Sequence, residues 1–271
     1  MNISQSEWTP ELAIVSIATG RYLHFWEDLV KSCAENFVNF ENIQWVLLTD
    51  RQEELSDEVA NLLGIKLSTE FVPHSDWPLP TLLRYQYLLS FQNLITAPRI
   101  FYMDADMKAV SRISRKDLDA FFSPDEMTLV LHPGYFRQGN LPFFKFPRLV
   151  LSDIRLRAKF GGLGGWETNK RSLAFVDRRK RKNYFCGGIW GGPRTSFIEF
   201  LSTLSERVQA DLDSGFIAKF HDESHLNWFA ANFSFRTESP SWCYDGRYVS
   251  LSGVRPLIVA VDKNSNELWR R

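Results

Sequence analysis

The segment Arg99-Ile-Phe-Tyr-Met-Asp-Ala-Asp-Met107 decides how the rest of the chain is read. Its apolar run, Ile100 to Met103, has the length of a buried strand and ends in two carboxylates, Asp104 and Asp106, separated by one small residue. At the C-terminal end of a strand in an open α/β sheet, such side chains stand on the rim where ligands collect. Two hard oxygen donors suit Mg²⁺ or Mn²⁺, which keeps positions open for phosphate oxygens. A solvated strand end or a helix cap can carry the same Asp-x-Asp pattern, so the flanking sequence must decide.

Upstream, residues 12–18 read as a buried strand, and residues 23–37 place Phe25, Trp26, Leu29, Val30 and Cys33 at helical spacing. A second strand over 43–48, a short helix over 56–63 closed by Gly64, and a third strand over 65–72 follow. Strand, helix and strand at this spacing imply βαβ units and an α/β fold with a largely parallel sheet flanked by helices. The first βα turn, Thr19 to Tyr22, then shares the rim of the acid pair and suits a nucleotide. A helix is predicted over 81–94, entered through Trp77-Pro-Leu-Pro80 and stopped before Pro98. Arg84 falls in its first turn, where the helix dipole disfavours a cation. It reads either as an exposed surface residue or as an arginine held for an anion.

Downstream, a strand over 127–131 ends in His132-Pro133-Gly134, a lone histidine at a strand-to-turn junction. Residues 136–183 look irregular and hold Gly161-Gly-Leu-Gly-Gly165 and Arg178-Arg-Lys-Arg-Lys182. The glycines fit neither a dinucleotide fingerprint nor a P-loop. The span reads as a mobile excursion or lid, and its basic run as a solvated face. Tyr184-Phe-Cys-Gly-Gly-Ile-Trp-Gly-Gly192 reads either as close backbone approach to a ligand or as a bulged core strand. Residues 195–212 form an amphipathic helix with Phe197, Phe200, Leu201, Leu204, Val208 and Leu212 on one side. His221-Asp-Glu-Ser-His-Leu-Asn227 resembles the first turn of another; its His pair lacks the zinc-protease arrangement.

Composition narrows the classes. With 32 Lys+Arg against 32 Asp+Glu, the balance argues against nucleic acid or an anionic membrane as the main partner. Three scattered cysteines offer no disulfide framework or zinc spacing, which fits a reducing compartment. No apolar run reaches the ~18 residues of a spanning helix, so a soluble, cytoplasmic protein is expected.

In order, Ile17-Ala-Thr-Gly-Arg-Tyr22, Leu47-Leu-Thr-Asp50, Leu83-Arg84, Met103-Asp-Ala-Asp-Met107, Leu131-His-Pro-Gly134, Cys186-Gly-Gly-Ile-Trp-Gly-Gly192 and His221-Asp-Glu-Ser-His-Leu-Asn227 resemble the family 6 retaining glycosyltransferases. Ser239-Pro240, Asp245 and Lys263-Asn264 extend the likeness to the C-terminus. The resemblance implies a GT-A fold in one catalytic domain over 1–271, with a nucleotide-sugar half over about 12–107 and an acceptor half over about 108–271. It implies transfer of galactose or N-acetylgalactosamine from a UDP-sugar to an oligosaccharide in an α1,3 linkage. A UDP-sugar hydrolase or a non-catalytic binder of UDP-sugar or glycan are the alternatives.

By the same resemblance, Ile17, Thr19 and Tyr22 hold uridine, Arg84 contacts the donor, and Asp104 and Asp106 bind Mn²⁺ or Mg²⁺. Glu223 is the candidate nucleophile, with Asp222 beside it. His132 and Asp245 contact the acceptor, and Phe220 stands where the family usually has Trp. Cys186 and Gly188 occupy positions that tune the donor sugar, the glycine leaning towards an acetamido group. Lys263, with Arg270 or Arg271, resembles a basic tail that closes over the diphosphate. The insertion at 152–183 is longer and more basic than the family's loop.

Overall fold

The computed structural model describes residues 8–137, 146–248, 251 and 253–262. Strands β1 (Leu12–Ile17) and β2 (Ile43–Thr49) are buried almost throughout, as strands covered on both faces must be. Helix α1 (Tyr22–Asn36) makes the crossover between them, and α2 (Asp57–Leu63) leads to β3 (Leu67–Phe71). The Ser56 side chain accepts from the Val59 N–H to start α2, and Gly64 at φ 51° ends it.

The helix expected over 81–94 is broken at Leu83 into α3 (Leu79–Leu82) and α4 (Arg84–Ser90). The bend brings Leu82, Arg84 and Tyr85 inward together; in a straight helix Leu82 and Tyr85 would share a face as i and i+3, but Arg84 would lie nearly opposite Leu82. Arg84 is therefore buried, not a surface residue. Strand β4 (Arg99–Met103) runs parallel to β1, with Phe101 and Met103 in the core of one face and Ile100 and Tyr102 in that of the other.

Beyond β4 come β5 (Met107–Ala109), α5 (Arg115–Phe121), β6 (Thr128–Leu131) and α6 (Pro147–Phe160). They are followed by β7 (Phe185–Pro193), α7 (Arg194–Asp213), α8 (His221–Asn232), β8 (Arg236–Glu238) and β9 (Ile258–Ala260). The seven-stranded sheet has the order β3-β2-β1-β4-β7-β6-β8. Strand β7 is antiparallel to both its neighbours, while β6 and β8 run parallel. Helices α1, α2 and α5 cover one face and α4, α7 and α8 the other. This mostly parallel, helix-flanked sheet is the α/β architecture that the resemblance implies, consistent with a GT-A fold.

The irregular excursion expected over 136–183 is corrected in part. Residues 147–160 are helix α6, and the glycine-rich loop behind it is anchored. Asp211 of α7, 2% exposed, accepts from Ser172 Oγ at 2.6 Å and from the Leu173 N–H at 2.8 Å. Glu167 accepts from the Asn169 and Lys219 N–H groups. A Cβ on Gly164 would lie 2.5 Å from the Tyr184 ring, and one on Gly165 2.4 Å from the Phe220 ring. The glycines serve close packing against aromatic faces. Among the described residues no helix is long and apolar enough to cross a membrane.

Candidate active site

The site forms where the antiparallel β7 begins beside the end of β4. The Asp104 N–H donates to the Gly188 carbonyl at 2.8 Å, so the first of the acid pair is tied to the start of β7. Ser16 Oγ donates to the Met103 carbonyl at 2.9 Å, which joins the end of β1 to the end of β4. Helix α8 is fixed to the same place by Asn227. Its Oδ1 accepts from the Phe185 N–H and its Nδ2 donates to the Phe185 carbonyl, each at 2.9 Å, as a neighbouring strand would. That bond pair sets the first turn of α8, with Asp222 and Glu223, against Gly187.

The Gly187 peptide then holds both signs of charge. Its N–H donates to Glu223 Oε2 at 2.9 Å, and its carbonyl accepts from Arg84 Nη1 at 2.8 Å and from Trp190 Nε1 at 3.0 Å. A Cβ here would lie 3.1 Å from Asp222 Oδ2, so glycine lets the carboxylates approach the backbone. Arg84 Nη1 is 3.1 Å from Asp104 Oδ1, and its Nε lies 3.2 Å from Asp222 Oδ2, an ion pair without an aligned hydrogen bond. The Tyr102 hydroxyl donates to Asp104 Oδ1 at 2.6 Å, and the Tyr85 hydroxyl to the Asp222 carbonyl at 3.1 Å.

These acids are short of solvation. Burial raises the carboxyls of Asp222 and Glu223 to about 7, against the opposing pull of Arg84 on Asp222 and of the Gly187 N–H on Glu223. Burial also acts on Arg84, but Asp104 and Asp222 outweigh it and keep the guanidinium charged. Perturbed acids converging at a sheet rim mark a functional site.

The remaining expected residues fall around this centre. His132 and Asp245 come together, with the imidazole pushed down to about 4 by burial despite that carboxylate. The Gly134 N–H donates to its Nδ1 at 3.0 Å, so the neutral ring carries its proton on Nε2. Both Asp245 oxygens already bind Arg247. Tyr135 and Tyr184 stand beside His132, with ring centroids 4.9 and 5.8 Å away, and both feel the charge of Glu223. Of the residues expected to hold uridine, Ile17 ends β1, Thr19 Oγ1 lies 3.2 Å from His74 Nδ1, and half-buried Tyr22 opens α1. Phe220 caps α8 against Gly165. Lys263, Arg270 and Arg271 lie outside the described residues.

Two positions expected on the donor side are closely packed. Cys186 is buried with its thiol against that of Cys243. The space above Gly188 is filled: a Cβ there would lie 2.5 Å from Met107 Cε and 3.0 Å from Asp104 Oδ2. The glycine admits those side chains, of which Met107 contributes the flexible end. Sequence reasoning missed Tyr102, Tyr85, Tyr184, His74 and the anchoring role of Asn227. Only Asn227 had a signal, its i+4 spacing from Glu223 on one helix face.

The donor chemistry fits a divalent ion. Asp104 Oδ1 is occupied by Tyr102 and Arg84, so its Oδ2 is the oxygen that would face an ion, with the Asp106 carboxylate as the second hard donor expected from the sequence. No group of three or more metal-binding side chains occurs among the described residues. Substrate oxygens and water would have to complete the shell, as Mg²⁺ and Mn²⁺ favour.

Comparison with known proteins finds glycosyltransferases. The model of "Glycosyltransferase family 6" matches residues 159–270, which include Cys186, Gly188, Asp222, Glu223 and Asp245. The chain is 27% identical to the O-antigen biosynthesis glycosyltransferase WbnI of Escherichia coli, over 80% of each chain. It is 23% identical to the human globoside alpha-1,3-N-acetylgalactosaminyltransferase 1, over 90% of this chain and 67% of that one. With the rat histo-blood group ABO system transferase 1 it shares 22% identity over 93% and 67% of the two chains. A rim of buried acids on this sheet, in a chain with these relatives, marks a hexosyltransferase that over residues 159–270 is similar to glycosyltransferase family 6.

Proposed function

We propose that the chain moves galactose or N-acetylgalactosamine from a UDP-sugar to a glycan acceptor in an α1,3 linkage, with retention at the anomeric carbon. The carrying observation is the Glu223 carboxylate, buried and fixed by the Gly187 N–H beside Arg84 and Asp104. A carboxylate so held can stabilise an oxocarbenium-like centre or attack it, which are the two routes to retention. Asp222, ion-paired to Arg84, orients donor or acceptor hydroxyls. Thr19 and Tyr22, in the turn from β1 to α1 and at its close, hold the uridine, and His132 donates from Nε2 to an acceptor hydroxyl beside Asp245.

Metal dependence follows from charge. Arg84 already faces Asp104 and Asp222, and an incoming diphosphate would add negative charge to the same rim. A divalent ion held by Asp104 and Asp106 would neutralise the departing diphosphate. UDP release from a panel of UDP-sugars, with and without Mn²⁺, tests the reading. The expected outcome is Mn²⁺-dependent release from one sugar, lost in Asp106→Asn. Unchanged turnover in that variant removes the metal from the proposal, and absence of both UDP release and UDP binding removes the donor site.

A further inference from the structure

The balanced total charge hides a strong local excess. Residues 146–183 carry eleven Lys or Arg against three Asp or Glu. Part of that charge has a structural job. Arg181 donates to the Val176 and Phe160 carbonyls, Arg178 to the Ala158 carbonyl, and Arg137 just upstream clamps Asp153. Arg157 and Lys182 have no side-chain partner among the described residues, and both are exposed. They face one cavity of about 270 Å³.

Two walls of that cavity are Tyr135 and Tyr184, the rings that flank His132 and sense the charge of Glu223. The cavity therefore adjoins the acceptor side of the site. Lys182 and Asn183 also line a second cavity of about 610 Å³, bordered by Arg179, Lys180 and the rings of Phe233 and Phe235. Aromatic walls suit the apolar faces of sugar rings, and cations along concave walls concentrate anions.

Resting on the transferase reading above, we infer that the acceptor is an acidic oligosaccharide whose carboxylate or phosphate groups are read by Arg157 and Lys182, with further acidic units running past Lys180 and Arg179. The basic span then selects the acceptor instead of serving only as a solvated face.

The test is calorimetric titration of the whole chain, in the presence of UDP, with three probes of equal length: a uronic-acid trisaccharide, a phosphorylated trisaccharide and a neutral trisaccharide. At least one acidic probe is expected to bind at least tenfold more tightly than the neutral one, with an affinity that falls as salt rises. The two acidic arms tell carboxylate from phosphate recognition. Arg157→Ala with Lys182→Ala, both at exposed positions, should abolish the preference while UDP affinity stays unchanged. Equal binding of acidic and neutral probes, or a preference that survives the double variant, overturns the inference. So does capture by phosphatidylglycerol vesicles without any glycan preference, which would assign the basic face to a membrane. A wild-type chain that binds UDP but shows no acid preference loses this inference alone. A chain that binds no UDP loses the donor reading instead.

Discussion

At the scale of single residues, the site is expensive to keep. Burial raises the Glu223 carboxyl from 4.5 to about 7. A carboxyl raised on folding favours the folded state when protonated; that contribution is complete below the unfolded value and is lost as pH rises through about 7. At pH 8 the ionised group therefore opposes folding. Glu223→Gln should melt roughly 2–6 °C above the wild type at pH 8, with the gap narrowing towards pH 5. Transfer should fall by at least about 100-fold in the same variant. Melting curves across pH and initial rates check both halves. Arg84→Ala should act in the opposite sense, losing about 3 kcal/mol or more because Asp104 and Asp222 are left without their buried cation. Denaturant unfolding measures it. The acids at 104, 222 and 223 were legible from the chain because short motifs carry them. Arg84 was ambiguous, since its burial depends on a helix break at Leu83 that no glycine or internal proline announces. The contact of Met107 with Gly188 was not legible at all, because it joins β7 to the start of β5 through tertiary packing.

At the scale of elements, two side chains do what loops usually leave undone. Asn227 completes the edge of β7 at Phe185, and its removal strands an N–H and a carbonyl in a buried place. Asn227→Ala should cost about 2–4 kcal/mol and lower turnover along with stability, because α8 carries Glu223. Chemical denaturation and initial rates would show the two losses together. Asp211→Ala releases Ser172 and Leu173, and should open residues 169–176 to limited proteolysis with a loss of about 2 kcal/mol. Resistance of that segment in the variant would mean that glycine-aromatic packing alone holds it. The sequence reading of this span as irregular failed for a physical reason: its order comes from anchors on α7 and on the turn before α8, and distant anchors leave no local periodicity. Helix α6 was missed although Val150, Leu151 and Ile154 stand at helical spacing; none of its residues is buried. Helix α7, with its stripe from Phe197 to Val208 buried, was read correctly.

At the scale of the whole molecule, the βαβ units from β1 to β4 could be read from spacing, and the two-faced core follows from them. The reversal of β7 could not, because the alternation of side chains along a strand is the same in either direction. That reversal matters for the site: it presents Gly187 and Gly188 at the rim where β4 ends. The basic span has a consequence of another kind. With eight charges in excess over 146–183 and a formal total of zero, the remaining chain carries the matching acidic excess. The molecule is in effect a large zwitterion. Near pH 7 it should be least soluble in dilute buffer, where unlike surfaces of neighbouring copies attract, and should dissolve more readily as NaCl is added. Turbidity across a salt series at pH 7 would register this salting-in, and neutralising Arg178 to Lys182 should weaken it.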